Sequence, residues 1–259
     1  MSFGLPETSE VLGNISGGTR RAGVYDGLTQ VGVGLDLEKA FGLVSGTINV
    51  SGWQIHGRGL SVNALNNNLH TASGLEAPRG TLLFELWYEQ LLFDKKLGVR
   101  IGQIAADQEF MISQYGYLFG NHTFGWATLP STDLPSSGPS FPLGAPGVRV
   151  RVLPRDDLLL LGAITNGDPA GPGPGTPQQR NPNGTSFRLR DGVFAIGEVQ
   201  YVLNQGENAT GLPGTYKIGT WYNPNNFADQ RRTRLGDNLV AFGAHVGAIP
   251  GTPRLRRGN

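Results

Sequence analysis

The 259-residue chain contains no cysteine, so disulfides and thiolate chemistry are excluded. No run of 18 apolar residues occurs, so no transmembrane helix is encoded. Charge is scarce: 16% of residues are charged, the net charge is +1, and the terminal RLRR at Arg254 to Arg257 is too short a basic run to neutralise a phosphate track. A nucleic-acid partner is therefore not expected. Catalytic signatures are missing as well. There is no HExxH, GxSxG or phosphate-binding loop, and the four histidines (His56, His70, His122 and His245) are scattered. Asn166 and Asp168 lack the spacing of a calcium loop and read as turn residues. The chain is expected to be no enzyme and to carry no cofactor or metal. The opening MSFGLPETSE has no basic region followed by an apolar core, so no export signal is read there.

What the chain has in abundance is glycine, 40 residues, about twice the usual frequency of roughly 7%. No composition shift marks an internal linker, and one domain is expected. Its connections alternate in length. Short joints lie at Glu38 to Ser45, Phe93 to Lys96, Pro154 to Asp157 and Asn204 to Pro213, whereas long polar stretches run from Gly57 to Gly80, Asp107 to Gly147 and Gly167 to Ser186. Short turns at one end and long loops at the other are the layout of a transmembrane β-barrel.

The segments between these joints are apolar on one parity only. From Tyr25 to Leu37 the stripe is Val31, Val33, Leu35 and Leu37; from Leu82 to Leu92 it is Leu82, Phe84, Leu86, Tyr88 and Leu92, opposite Glu85, Trp87 and Glu89. Arg100 falls opposite Val99 and Ile101, Arg149 and Arg151 opposite Val148, Val150 and Val152, Glu198 opposite Val199 and Tyr201, and Lys217 opposite Tyr216 and Ile218. Nine strands are counted in this way. Between Gly46 and Arg58 the apolar parity shifts, from Ile48 and Val50 to Trp53 and Ile55, which predicts a bulge near Ser51 and Gly52. The run Leu158 to Leu161 has no clean alternation. Trp53, Phe84, Tyr88, Tyr201, Tyr216 and Tyr222 are candidates for interfacial girdles, or for ordinary core aromatics.

Read as a barrel, the polar parity lines a water-filled lumen with Gln54, His56, Arg58, Glu85, Trp87, Glu89, Arg100, Arg149, Arg151, Arg188, Arg190, Glu198, Lys217 and Trp221. Mixed guanidinium and carboxylate groups offer donors and acceptors to a neutral hydroxylated solute, and indole faces suit the CH surface of a sugar. Parity alone is shared with a soluble β-sandwich carbohydrate-binding module, which would bury the apolar stripe and expose the charges. The stretch from Asp107 to Gly147 is too long for a plain connector, and an inward fold that narrows the channel is expected.

At EVLGNISGG (Glu10 to Gly18), GWQIHGRGLS (Gly52 to Ser61), GQIAADQEF (Gly102 to Phe110), LFGNHTFGW (Leu118 to Trp126) and NGDPAGPGPG (Asn166 to Gly175) the chain resembles the carbohydrate-selective porins of the OprB type. The resemblance implies an all-β, antiparallel transmembrane barrel of about 16 strands in the outer membrane, in contact with its lipid. It implies passive diffusion of glucose-like sugars through a charged and aromatic constriction. Carried onto this chain, the pore-lining and substrate-binding positions are Arg58, Glu85, Trp87, Glu89, Arg100, Glu109, Arg149 and Arg151. Residues 1–230 are expected to form the porin region, with residues 231–259 a poorly ordered tail without a strand series. With nine strands, the chain reads as an incomplete barrel. The rivals are the soluble sandwich, a non-functional porin fragment and a channel for anions or basic solutes; the sugar, the pore radius and the oligomeric state are not legible.

Overall fold

The structure is a computed structural model that describes residues 1–65, 71–205, 209–233 and 253–257. Among the described residues there are twelve strands: β1 (Ser2–Gly4), β2 (Glu7–Asn14), β3 (Ala22–Asp36), β4 (Gly46–Gly57), β5 (Gly80–Leu92), β6 (Leu97–Ile104), β7 (Ala145–Arg155), β8 (Leu158–Asn166), β9 (Val193–Leu203), β10 (Gly214–Tyr222), β11 (Asn226–Thr233) and β12 (Pro253–Arg257). The first ten make one antiparallel sheet in chain order, and β11 pairs with β12 separately.

Strands β1 and β2 both pair with β3 in a single register, Ser2 opposite Gly34 and Glu7 opposite Thr29. They act as one edge strand nicked at Pro6, which has no N–H to give. The sheet is therefore a nine-strand meander, as the alternation predicts. Among the described residues, β10 pairs only with β9 and β1/β2 only with β3, so the sheet is open. No described helix is long and apolar enough to cross a membrane.

Paired residues of an antiparallel ladder project to the same face, so register sorts the side chains. One row runs Thr47, Glu89, Arg100, Arg149, Ala163, Ile196, Trp221 across β4 to β10. A neighbouring row on the opposite face carries Val150, with Val148, Ile101, Ile164, Val199, Tyr201, Tyr216, Ile218 and Tyr222 alongside, all of them exposed. The long connections, 58–79, 105–144 and 167–192, lie at one end of the strands. The short ones lie at the other. Phe110, Trp126 and Leu134 of the longest loop pack with Ile104, Leu161, Ala163, Phe194 and Ile196 to form a core on the charged face. That face is the inner one, and the loop folds inward as expected.

A soluble sandwich is not what forms: the Val, Leu and Tyr stripe is exposed, and the acidic and basic side chains are interior. The missing alternation at Leu158 to Leu161 also has its explanation. Leu160 is exposed outside while Leu159 and Leu161 meet the inserted loop, so both faces of this strand are apolar for different reasons.

The bulge expected near Ser51 and Gly52 is present, but its extra residue lies on β5, so it is not what shifts the apolar parity of β4. β4 pairs with β3 without a break. The ladder steps between Ser51 and Gly52 against β5, where Ser51 opposes Glu85 and Gly52 opposes Leu83, which leaves Phe84 as the extra residue. Below the step Leu86 faces out. Above it Leu82 and Phe84 turn inward and are buried, so they do not belong to the outer stripe. Trp53 and Ile55 face inward too, in a second core with Leu28, Leu82, Leu143 and Phe141. Trp53 sits edge-on to Phe84 at 4.5 Å and to Phe141 at 5.3 Å between centroids, so Trp53 and Phe84 are core aromatics, not girdle residues. Most of the tail expected over 231–259 lies outside the described residues; within them, 231–233 ends β11 and 253–257 forms β12.

Candidate functional site

The inner row places Arg100 of β6 directly opposite Arg149 of β7. Like charges facing each other across a ladder repel. Two carboxylates resolve this, Glu89 from the adjacent β5 and Glu109 from the inserted loop. Arg149 Nη2 lies 2.8 Å from Glu89 Oε1 and donates to Glu109 Oε1 at 2.8 Å, and its Nε makes a charge contact of 2.8 Å with Glu109 Oε2. Arg100 Nη1 lies 2.5 Å from Glu109 Oε1, and its Nη2 is 3.4 Å from Glu89 Oε2. The quartet is balanced, two cations against two anions, and the Arg149 side chain is only 4% exposed. Such a group resists loss of any single member, because the partner left behind is an uncompensated charge.

Trp87 completes the cluster. Its ring lies 3.7 Å beneath the Arg100 guanidinium carbon, a cation–π contact that holds the guanidinium flat. Gly102 makes this possible. It pairs with Trp87 at φ +141°, and a Cβ there would meet Leu86 O at 2.2 Å and Trp87 Cα at 2.7 Å.

Five of the eight expected site residues, Trp87, Glu89, Arg100, Glu109 and Arg149, thus come together. Glu85 lies next to them but is occupied in accepting the N–H of Ala105 at 3.2 Å, which seats the start of the loop. Arg151 sits one inward step nearer the short turns and reaches Lys95 O at 3.4 Å. Arg58 stands apart: it lies beyond the end of β4, exposed at the long-loop rim. Other residues of the polar parity are also placed differently from the expectation. Gln54 and His56 pair with Thr29 and Gly27 on the outward face, since the step against β5 does not move β4. Arg188 and Arg190 precede β9 in the loop 167–192, where Arg188 is paired with Asp191 at 2.5 Å. Glu198 and Lys217 do point inward and fasten the loop, Glu198 Oε2 accepting from Met111 N at 2.8 Å and Lys217 Nζ donating to Ile112 O at 2.7 Å.

Above the quartet, toward the long-loop end, a cavity of about 390 Å³ is lined by Trp53, Asp107, Tyr117, Asn121, Trp126 and Phe141 among others. Asp107 is buried there. Its Oδ2 accepts from Phe141 N at 2.8 Å while Oδ1 has no partner, and burial pushes the carboxyl up to about 7. Strand periodicity does not mark Asp107, Trp53 or Trp126 as lining residues. Inside the 105–144 loop no strand period exists to assign a side chain to a face. The loops are tied together by Arg180, which donates to Gly171 O at 2.7 Å and to Ser136 Oγ at 2.9 Å; Ser136 in turn donates to Asp168. Among the described residues, no group of three His, Asp or Glu converges as a metal site.

A family model described as carbohydrate-selective porin, OprB family, matches residues 20–253. The match runs past residue 230, where the porin region was expected to end. Among curated proteins none matches the chain in sequence. Two solved structures of Pseudomonas putida OprB are similar. The high-pH structure has a TM-score of 0.74 at 20% identity, covering 92% of this chain and 55% of that one. The low-pH structure has a TM-score of 0.50 at 14% identity, covering 91% and 61%. The chain thus spans little more than half the length of the solved structures it matches.

Proposed function

This chain belongs to the OprB family of carbohydrate-selective porins, and from that premise we propose that it forms the wall and constriction of an outer-membrane pore for neutral sugars, with no turnover chemistry. One observation carries the reading: the same strands that bury a neutral Arg–Glu quartet on the loop-covered face expose a continuous apolar band on the other. Lipid against the band and water against the quartet satisfies both faces. The reverse placement would cost roughly 2–4 kcal/mol for each charge at mid-bilayer.

In this reading Trp87, Glu89, Arg100, Glu109 and Arg149 form the narrowest ring. The inserted loop sets its width, and Glu85 and Arg151 shape its approaches. A ring of mixed sign favours neither cations nor anions strongly, and its guanidinium and carboxylate groups match the donors and acceptors of sugar hydroxyls. The indole of Trp87 presents a flat apolar face beside them.

Planar-bilayer conductance with added glucose tests the proposal. Current block that saturates with glucose concentration is the expected result. Channels whose current glucose leaves unchanged would overturn the sugar reading, and strong cation or anion selectivity would favour an ion channel instead.

A further inference from the structure

Arg58, set apart from the constriction, has company at the rim. It lines a cavity of about 430 Å³ together with Arg20, Arg79, Tyr25 and Gly57. Gly57, at φ +89°, takes the chain round to Arg58, and a Cβ there would meet Tyr25 O at 2.3 Å. The three arginines are exposed, and among the described residues none forms an ion pair with a carboxylate. Two are braced through Nε, Arg20 to Asn63 O at 2.8 Å and Arg79 to Gly57 O at 2.5 Å. Among the described residues their terminal nitrogens have no hydrogen-bond partner, which leaves them oriented toward a ligand. Three unneutralised guanidiniums around one concavity form an anion site, and planar, forked donors suit a phosphate.

What lies below the cavity on the outward face indicates which phosphate. One step nearer the membrane is a belt of hydroxyl and amide groups: Tyr25 Oη is 3.0 Å from Ser9 Oγ and 3.1 Å from His56 Nε2, and His56 Nδ1 is 2.9 Å from Gln54 Oε1. Glu7 lies in this belt with its charge occupied by the hydroxyls of Ser9 and Thr29 and by His56 at 3.3 Å. Lower still comes the exposed apolar stripe of Val31 and Val50. Cationic rim, hydroxyl belt and apolar band are stacked in the order of phosphate, sugar and acyl chain in an outer-leaflet amphiphile. The long-loop end is the external side of such a barrel.

We propose that the Arg20–Arg58–Arg79 cavity binds the phosphate of a phosphorylated glycolipid of the outer leaflet, anchoring the external rim of the wall. The inference rests on the membrane placement above but not on what the pore conducts.

The test uses the purified full chain in detergent, titrated with diphosphorylated lipid A, with the dephosphorylated lipid and with inorganic phosphate, and read by native mass spectrometry. Wild-type protein should prefer the phosphorylated lipid by about tenfold or more, the worth of one charge-assisted hydrogen bond. R58Q/R79Q should lose that preference while keeping wild-type glucose block. Equal binding of the two lipids by the wild type overturns the proposal without recourse to any variant, as does a preference that survives in folded R58Q/R79Q. Inorganic phosphate that binds alone and displaces the lipid would overturn the lipid assignment in favour of a free-anion site. Failure of glucose block with lipid preference intact would instead remove the sugar reading.

Discussion

Replacing Arg149 by glutamine tests the central electrostatic argument. Arg149 contacts both Glu89 and Glu109 at 2.8 Å. At an effective dielectric near 20, each contact of about 4 Å between charge centres is worth about 4 kcal/mol before desolvation. Most of this is offset by the burial of the groups, and relief of the Arg100–Arg149 repulsion offsets more. Truncation of one partner in a buried network nevertheless costs about 3–5 kcal/mol, because Glu89 and Glu109 are left sharing only Arg100. R149Q should therefore lower the urea-unfolding free energy, followed by tryptophan fluorescence, by about 3 kcal/mol. R149Q/E89Q restores neutrality and should cost less than the sum of its single variants, with a coupling of about 2 kcal/mol. In bilayers R149Q should shift the reversal potential in a salt gradient toward cation selectivity, and R149Q/E89Q should shift it back. Additivity within about 0.5 kcal/mol, or no change in reversal potential, would refute the reasoning.

Asp107 predicts a pH dependence of loop seating. Its buried carboxyl titrates near 7 instead of its ordinary 3.8, so the seated loop holds a proton that the released loop gives up. Seating is strongest below about pH 3.8 and weakens as pH rises from there to about 7, by at most about 4 kcal/mol in all. Protease cleavage within 105–144 should accelerate across that window in the wild type and much less in Asp107→Asn; equal acceleration in both would exclude Asp107 as the cause. On the other face, Ile101 is exposed in the middle of the apolar band. Ile101→Arg should cost about 2–4 kcal/mol in lipid vesicles and little in a water-soluble setting, and a neutral effect in vesicles would place that face away from lipid.

Much of this architecture is legible in the sequence, because strand period and loop length are local properties. The stripes of β6, β7 and β9 assign Arg100, Arg149 and Glu198 to one face correctly, since each is uninterrupted. The assignment fails where a distant element intervenes. The apolar side of β4 and β5 changes partway along, from the exposed outer face below to the loop-packed inner face above. Trp53, Ile55 and Leu82 therefore seek the inside, and Gln54 and His56 are turned out. No local rule shows that change, because its cause lies at Phe141 and Leu143, far along the chain. Glu109 is the opposite case. Its place among the arginines follows from no periodicity, and only the motif resemblance at GQIAADQEF points to it. Arg58 enters the same expectation through polar parity and the motif GWQIHGRGLS, but the end of β4 leaves it at the rim.

Glu109 is also the one member of the quartet that the sheet does not own. If the 105–144 segment lifts, the sheet retains two guanidiniums against a single carboxylate, and the neutral aperture of the proposed pore becomes an anion attractor as it widens. In the proposed pore, displacement of that insert would convert a change of width into a change of sign, coupling steric to electrical selectivity.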